Sequence, residues 1–151
     1  MNHWLMKSEP ECYSIDDLKK DNVEPWDGIR NYQARNFMRD DMMVGDKVLF
    51  YHSNCKPPHI AGLAEVASTP YPDPTQFDKK SQYFDPKSTK ENPRWMLVDV
   101  KFIAKAKEIL PLTVIKNDPD LAGMLVVQKG QRLSIQPVGK KHFDIIKKYI
   151  T

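Results

Sequence analysis

The sequence holds few residues of the kinds that bind metals or form disulfides. Its 151 residues include two cysteines, Cys12 and Cys55, and four scattered histidines. Neither residue type falls into a metal-ligand spacing such as Cys-x-x-Cys. We therefore expect no metal site, and two free thiols in a reducing compartment.

Long apolar runs and glycine-rich phosphate loops are missing as well. No apolar stretch approaches the roughly 18 residues that a membrane span needs. The first residues lack the basic-then-apolar pattern of a targeting signal, and dinucleotide and P-loop fingerprints are absent. These absences argue against a membrane protein and predict a cytoplasmic protein without a cofactor.

Glycine is scarce and proline is common, with six glycines against twelve prolines. Proline fixes the backbone, so this balance predicts rigid and well-defined loops. The length suits one domain over residues 1–151, with enough chain for a real core. A net charge of +3 fits a modest interaction with nucleic acid but does not require one.

The order of local patterns predicts an α+β protein. Short apolar runs at uneven spacing indicate strands, and helical patterns lie near both ends of the chain, which suits a mixed β-barrel with flanking helices. Ser14 with Asp17 offers a capping pattern for a short helix through Lys20. The predicted strands cover residues 1–6, 47–51, 60–66, 95–102, 125–127 and 133–135, and the other helices cover residues 31–42 and 140–149.

One short segment has an unusual composition. Residues 26–36 contain two aromatic residues, two arginines and three side-chain amides. An amphipathic helix that only covered a core would place apolar residues along one face instead. An indole such as that of Trp26 supplies a stacking face, and amides both donate and accept hydrogen bonds. The segment therefore predicts a site for a planar, polar ring.

Seven blocks of residues resemble EVE domains, and they occur in the same order as in that family. The blocks are Lys7-Ser8-Glu9-Pro10, Trp26-Asp27-Gly28, Arg30-Asn31-Tyr32-Gln33-Ala34-Arg35-Asn36, Tyr51-His52-Ser53-Asn54, Tyr71-Pro72-Asp73-Pro74-Thr75, Asn92-Pro93-Arg94-Trp95 and Arg132-Leu133-Ser134-Ile135-Gln136-Pro137-Val138. The resemblance spans nearly the whole chain. It implies a PUA-like β-barrel related to YTH domains, which read a modified base in an aromatic cage.

The resemblance also implies residues for a base-binding pocket. Trp26 matches the cage tryptophan of the related YTH domains. The simpler alternative is that its side chain is buried and fills one end of the barrel. Lys7 and Ser8 follow a predicted strand and are expected to form a polar pocket wall. Ser53 and Asn54 end another predicted strand and are expected to line the same pocket.

The helix that follows Trp26 carries further candidate site residues. Asn31 is expected to cap that helix, with a place near the ligand as the alternative, and Tyr32 is assigned to the pocket. Arg30 and Arg35 are candidates for phosphate contacts, with surface ion pairs as the alternative. The expected partner is DNA or RNA carrying a modified base, bound by a monomer.

Two other functions remain open. One is a nuclease or hydrolase that acts on nucleic acid, and the other is a small-metabolite sensor that uses the same pocket. Neighbouring residues of a strand point to opposite faces, so His52 is poorly placed to activate Ser53. A catalytic triad also needs an orienting acid and an oxyanion hole. No catalytic residue is therefore assigned.

One position departs from the family pattern. His59 stands where EVE domains usually have glycine. If that glycine serves a turn with positive φ, a histidine there would alter the turn and the rim of the pocket.

Overall fold

The computed structural model describes residues 1–151 as one α+β unit. Its elements, in chain order, are β1 (His3–Ser8), α1 (Ile15–Asp21), β2 (Val23–Pro25), α2 (Tyr32–Asn36), a π-helical turn (Phe37–Asp41), β3 (Lys47–His52), β4 (His59–Val66), β5 (Tyr71–Pro72), a 3₁₀ turn (Pro74–Phe77), β6 (Met96–Leu97), β7 (Asp99–Pro111), α3 (Leu112–Asn117), two further 3₁₀ turns (Pro119–Leu121 and Leu125–Val127), β8 (Ile135–Val138) and α4 (Lys140–Ile150).

Six strands form one curled sheet in the order β2-β7-β4-β3-β1-β8, and β5 pairs with β6 separately. β1 and β3 are parallel, whereas the other pairs in the large sheet are antiparallel. The two end strands do not pair, so the sheet is a half barrel. This architecture confirms the α+β, PUA-like prediction.

The central strands bury side chains on both faces. Trp4 and Met6 of β1 belong to one apolar cluster, and Leu5 between them belongs to another. Successive residues of a strand point to opposite faces, so the two clusters lie on opposite sides of the sheet. The first includes residues of α1 and α2, and the second includes residues of α3 and α4. Two-sided burial explains why these strands read as unbroken apolar runs.

Local side-chain caps define the first two helices. Ser14 and Asp17 form the predicted capping box, with Ser14 Oγ accepting from the Asp17 amide at 3.1 Å. The Asn31 side chain caps α2 by accepting from the Ala34 amide at 3.0 Å. The single helix predicted over residues 31–42 is instead a short α-helix followed by a π-helical turn, in which the Met42 amide donates to the Phe37 carbonyl.

Three predicted strands differ from the structure. The strand predicted over residues 133–135 is shifted, because β8 covers Ile135–Val138. The strand predicted over residues 125–127 is a 3₁₀ turn. The strand predicted over residues 95–102 is interrupted and then continues as β7 to Pro111. Trp95 lies outside it because its backbone and indole are held by Gln76 and Asp85. The short β2 was not predicted, since it exists only through its pairing with β7.

Candidate functional site

A cleft of about 560 Å³ opens where β1 and β2 end. Three strands separate β1 from β2 in the sheet, and the curl of the half barrel brings their ends together. The volume lies within the roughly 300–1,000 Å³ of small-molecule sites. The lining residues are Lys7, Ser8, Glu9, Cys12, Tyr13, Glu24, Pro25, Trp26, Asp27, Gly28, Ile29, Gln82 and Tyr83.

Trp26 forms part of the wall of this cleft and also part of the core. Its amide donates to the Val98 carbonyl at 2.9 Å, and its ring meets Phe50 edge-on at 5.6 Å between centroids. Only 8% of the residue is exposed. The indole Nε1 has no hydrogen-bond partner. Every buried polar side-chain atom in the structure does have one, so Nε1 is not completely buried. The Nε1–H is therefore unpaired and retains some contact with solvent.

Lys7 and Ser8 lie at the end of β1, where the sequence placed them. The Lys7 ammonium group is half-buried, 5.9 Å from the centroid of the Tyr51 ring, and pairs with no carboxylate. Burial lowers its pKa. The Ser8 hydroxyl donates to the Tyr13 carbonyl at 2.5 Å, which leaves its oxygen free to accept.

Three carboxylates that are not among the site residues predicted from the sequence also line the cleft. They belong to Glu9, Glu24 and Asp27. Desolvation raises the pKa of Glu24, and desolvation together with the Asp73 carboxylate raises that of Asp27. With Lys7 as the only cation in the lining, the cleft offers more negative charge than positive. A neutral ring with amino donors suits such a lining better than a phosphate does.

Gly28 and Asp73 fix the wall that carries Trp26. Gly28 has φ of +79°, and a Cβ there would lie 2.7 Å from the Tyr83 ring, so only glycine fits without displacing that ring. The Gly28 amide donates to Asp73 Oδ2 at 2.8 Å. Asp73 is fully buried. The Trp-Asp-Gly sequence therefore forms a turn against the loop that supplies Tyr83.

Arg30 holds the same loop and has no donor left for a phosphate. Its guanidinium group donates to the carbonyls of Ile29 and Tyr83, to Asp73 Oδ2 and to Thr75 Oγ1. These bonds engage all five N–H groups that an arginine possesses. In this structure Arg30 is therefore an internal clamp, and the phosphate contact expected of it stays a prediction.

The other predicted residues of the second helix lie outside the cleft lining. Asn31 caps α2, as the plainer interpretation predicts. Tyr32 stacks on Trp95, with ring centroids 4.8 Å apart and planes at 19°. Arg35 donates to Asn36 Oδ1 and to the Arg94 carbonyl and forms no ion pair. Tyr32 and Arg35 thus form a separate surface from Trp26, Lys7 and Ser8.

Ser53 and Asn54 also lie outside the cleft lining, contrary to expectation. The Ser53 amide donates to the Ser8 carbonyl at 3.0 Å, so it supports the end of β1 through the backbone. Asn54 is exposed, with φ of +53°, and turns the chain after β3. Both positions follow β3, the neighbour of β1, and lie in the segment that leads to β4.

His59 occupies an ordinary strand position. It pairs with His52 across β3 and β4 and does not have positive φ. His52 Nδ1 and His59 Nε2 are 3.0 Å apart. The Ile15 amide donates to His52 Nε2 at 3.1 Å. The departure from the family glycine therefore adds a hydrogen bond to this corner instead of distorting a turn.

A family model described as the EVE domain matches residues 2–149 of this chain. The chain belongs to the EVE-domain family. Among its EVE-domain relatives, thymocyte nuclear protein 1 of Homo sapiens is 44% identical over 164 aligned residues, which cover 96% of this chain and 72% of the human protein. The family predicted from the sequence blocks is thus confirmed.

Solved structures share the fold over nearly the full length. A hypothetical protein from Leishmania major superposes with a TM-score of 0.92 at 51% identity, covering 98% of this chain and 93% of its own. The human THYN1 protein, in complex with DNA containing 5-methylcytosine, superposes with a TM-score of 0.90 at 44% identity. That alignment covers 98% of this chain and 96% of the human one.

Several lining residues of the EVE-domain cleft carried no signal in the sequence. Tyr13, Gln82 and Tyr83 come from loops, and Glu24 belongs to the unpredicted β2. Glu9 and Asp27 did stand inside the family blocks, next to residues that were assigned. Adjacency to Lys7-Ser8 and Trp26 was the one available signal for these two acids.

Two further features of this EVE domain bear on function. No group of three or more His, Cys, Asp or Glu side chains is arranged to hold a metal ion. None of its helices combines the length and apolar character that crossing a bilayer requires.

Proposed function

We propose that this EVE-domain protein binds DNA that carries a modified cytosine and holds the modified base in the β1–β2 cleft. The observation that carries the proposal is the lining of that cleft, which combines unpaired donors with carboxylate acceptors. Human THYN1, 44% identical and similar in structure over nearly the whole chain, has a solved complex with DNA containing 5-methylcytosine.

The lining suits the hydrogen-bonding edge of cytosine. The Trp26 Nε1–H and the Lys7 ammonium group are donors for ring oxygen and nitrogen acceptors. Glu24 and Asp27 offer carboxylate oxygens, which are favourable acceptors for the exocyclic amino group of cytosine. Thymine presents an oxygen instead of that amino group, so the carboxylates oppose it.

A base must leave the helical stack to reach such a cleft. Extrusion of a nucleotide costs a few kcal/mol, which contacts inside the pocket offset. Trp26, Tyr13 and Tyr83 supply aromatic surface around the cleft. The role of Trp26 as a stacking face, predicted from the sequence, stays part of this proposal, and its small exposed area favours a hydrogen-bonding role as well.

The proposal also covers catalytic activity, oligomeric state and cellular location. We infer a non-catalytic, monomeric reader in the cytoplasm, as the sequence predicts. The two free thiols support a reducing compartment. DNA is favoured over RNA by the human complex alone, so matched DNA and RNA strands belong in the test.

Calorimetry with free nucleosides and short oligonucleotides tests this function. The wild-type protein should bind 5-methyl-2′-deoxycytidine and strands containing it more tightly than the unmodified 2′-deoxycytidine and thymidine equivalents, without turnover. Trp26→Phe keeps most of the ring and removes the N–H, so affinity should fall about 3- to 10-fold, as loss of one hydrogen bond implies.

Trp4→Phe is the matched control, because it removes an indole N–H that bonds to Asp46 away from the cleft. Its affinity should equal that of the wild type. Product formation on incubation with the oligonucleotide would indicate that the protein is an enzyme and not a reader. Equal affinity for modified and unmodified strands would reject the cleft as a reader of modified cytosine.

A further inference from the structure

The charge of the β1–β2 cleft raises the question of where the phosphates of a bound strand lie. Three carboxylates and one lysine line the cleft, so a phosphate at its mouth meets repulsion. Arg30 follows directly after a lining residue of the cleft, but all five of its N–H groups are engaged in hydrogen bonds within the protein. Cations elsewhere must therefore position the strand.

Tyr32 presents an open aromatic face next to this region. Its inner face stacks on Trp95, which is buried, and 46% of Tyr32 is exposed. The Arg35 guanidinium carbon lies 4.6 Å from the Tyr32 ring centroid and 5.9 Å from that of Trp95. With the rings 4.8 Å apart, these distances place Arg35 beside the stack, not over the outer face of Tyr32.

Two arginines flank this ring with unused donors. Arg35 engages three N–H groups, with Asn36 and the Arg94 carbonyl, and has no carboxylate partner. Arg94 donates to the Tyr32 hydroxyl and to Asp85, which engages two of its five N–H groups. Burial and the nearby charges of Arg39 and Arg94 lower the pKa of Arg35, a repulsion that a bound anion would relieve.

We propose that Tyr32, Arg35 and Arg94 form a second nucleotide subsite, which stacks an unpaired base flanking the modified one and binds its phosphate. This inference rests on the proposed function of the cleft and adds a site outside it. An aromatic face with adjacent guanidinium groups is the combination that single-stranded nucleic acid requires, because it offers stacking and charge together.

Contacts between rings and cations connect the subsite to the cleft. Tyr83 lines the cleft, and the Arg30 guanidinium carbon lies 5.4 Å from its ring centroid. The same carbon lies 5.3 Å from the Trp95 centroid, and Trp95 is the residue on which Tyr32 stacks. Arg30 thus packs between the Tyr83 wall of the cleft and the Trp95 ring that supports Tyr32.

Ligands of two lengths separate the subsite from the cleft. Free 5-methyl-2′-deoxycytidine reaches only the cleft, whereas a five-nucleotide DNA strand with central 5-methylcytosine reaches both. Binding of each is measured by calorimetry, across several salt concentrations for the strand. The variants are Tyr32→Leu and Arg35→Gln, with Lys147→Gln on the exposed surface of α4 as a charge control. Thermal unfolding checks that each variant folds.

In the wild type, the strand should bind more tightly than the nucleoside. Tyr32→Leu should weaken strand binding about 5- to 150-fold, the effect of removing one base–aromatic stack, and leave nucleoside binding unchanged. Arg35→Gln should reduce the slope of log affinity against log salt by about 0.7, the value for one phosphate contact on a single strand. Lys147→Gln should alter neither quantity.

The outcomes distinguish the two proposals. Equal affinity of the wild type for strand and nucleoside, or an unchanged strand affinity in both folded variants, overturns the subsite and leaves the cleft standing. Strand binding that depends on Tyr32 and Arg35 but ignores the methyl group supports the subsite and rejects the reader. Equal losses for nucleoside and strand in Tyr32→Leu also overturn the subsite, because the residue would then act on the cleft.

Discussion

Arg30 and Asp73 meet at 3.1 Å, with 22% of the arginine side chain exposed and none of the aspartate side chain. The aspartate also accepts from the Gly28 amide and from the amide and hydroxyl of Thr75. One buried carboxylate therefore joins the turn after β2 to the loop that carries Tyr83. This junction therefore holds together two parts of the chain that supply the wall of the cleft.

Replacing Asp73 with asparagine should therefore destabilise the protein strongly. The change leaves the Arg30 guanidinium without its counter-charge in a mostly buried place, which costs about 3 kcal/mol. Urea unfolding at neutral pH measures the loss. Asp40→Asn is the control, since it breaks an exposed pair with Arg39 and should cost far less. Equal losses for both variants would contradict the role of Asp73 as a junction.

Gly28→Ala should impair ligand binding through Tyr83. An alanine Cβ would stand 2.7 Å from that ring, in addition to the strain of a φ of +79°. Gly45 also has positive φ, at +96°, but nothing lies within 4 Å of its added Cβ. Gly45→Ala therefore controls for backbone strain alone, at about 1–2 kcal/mol.

The two glycine variants are compared by urea unfolding and by affinity for 5-methyl-2′-deoxycytidine. Gly28→Ala should lose more stability than Gly45→Ala and should also lose affinity. Gly45→Ala should bind as the wild type does. Unchanged affinity in a folded Gly28→Ala variant would mean that the position of Tyr83 does not shape the cleft.

Local signals in the sequence account for part of this structure. Ser14 with Asp17 predicted the start of α1 because a capping box involves only neighbouring residues. The strand pattern predicted that Lys7 and Ser8 end β1, as they do, and both residues line the cleft. Their role as a binding wall stays a prediction of the family resemblance. The α+β class followed from the order of strand and helix patterns, whereas the PUA-like topology came from the family resemblance, since uneven short strands alone suit several α+β architectures.

The rest depends on contacts between distant residues. β2 contains a proline and a glutamate, has little strand propensity, and exists because Val23 pairs with Lys101. Glu24 reaches the cleft only through that pairing. Arg30 looked like a phosphate contact because its partners, Asp73, Thr75 and Tyr83, lie more than forty positions away. No local pattern indicates that such a cation is already satisfied.

Cys12 offers a direct report on the occupancy of the cleft. Its thiol is exposed and lines the cleft, whereas Cys55 lies outside it, half-buried, where burial raises its pKa. A strand containing 5-methylcytosine at about ten times its Kd should slow alkylation of Cys12 about tenfold by mass action. Peptide mass spectrometry follows both cysteines in one sample. Equal slowing at Cys55, or none at Cys12, would contradict binding in the cleft.

The histidine pair at the end of β3 and β4 has a defined protonation state. His52 Nε2 accepts from the Ile15 amide, so the proton of this ring must be on Nδ1, which donates to His59 Nε2. His59 Nδ1 then donates to the Pro57 carbonyl at 2.7 Å. Both rings are neutral in this chain of hydrogen bonds. A proton on His52 Nε2 would oppose the Ile15 N–H at the start of α1.

Stability should therefore fall as the solution becomes acidic. Burial, followed by the neighbouring His59, lowers the pKa of His52 to about 4 in the folded protein, against about 6.5 in the unfolded chain. The unfolded state binds the proton first, so stability is full above pH 6.5 and is lost as pH falls from there towards 4. Between pH 7.5 and 5.0 the loss from His52 should be about 2 kcal/mol.

Urea unfolding at the two pH values should show this loss in the wild type and in His142→Gln, a control outside the hydrogen-bond chain. His52→Gln should lack it, and a pH dependence equal to that of the wild type would exclude His52 as its source.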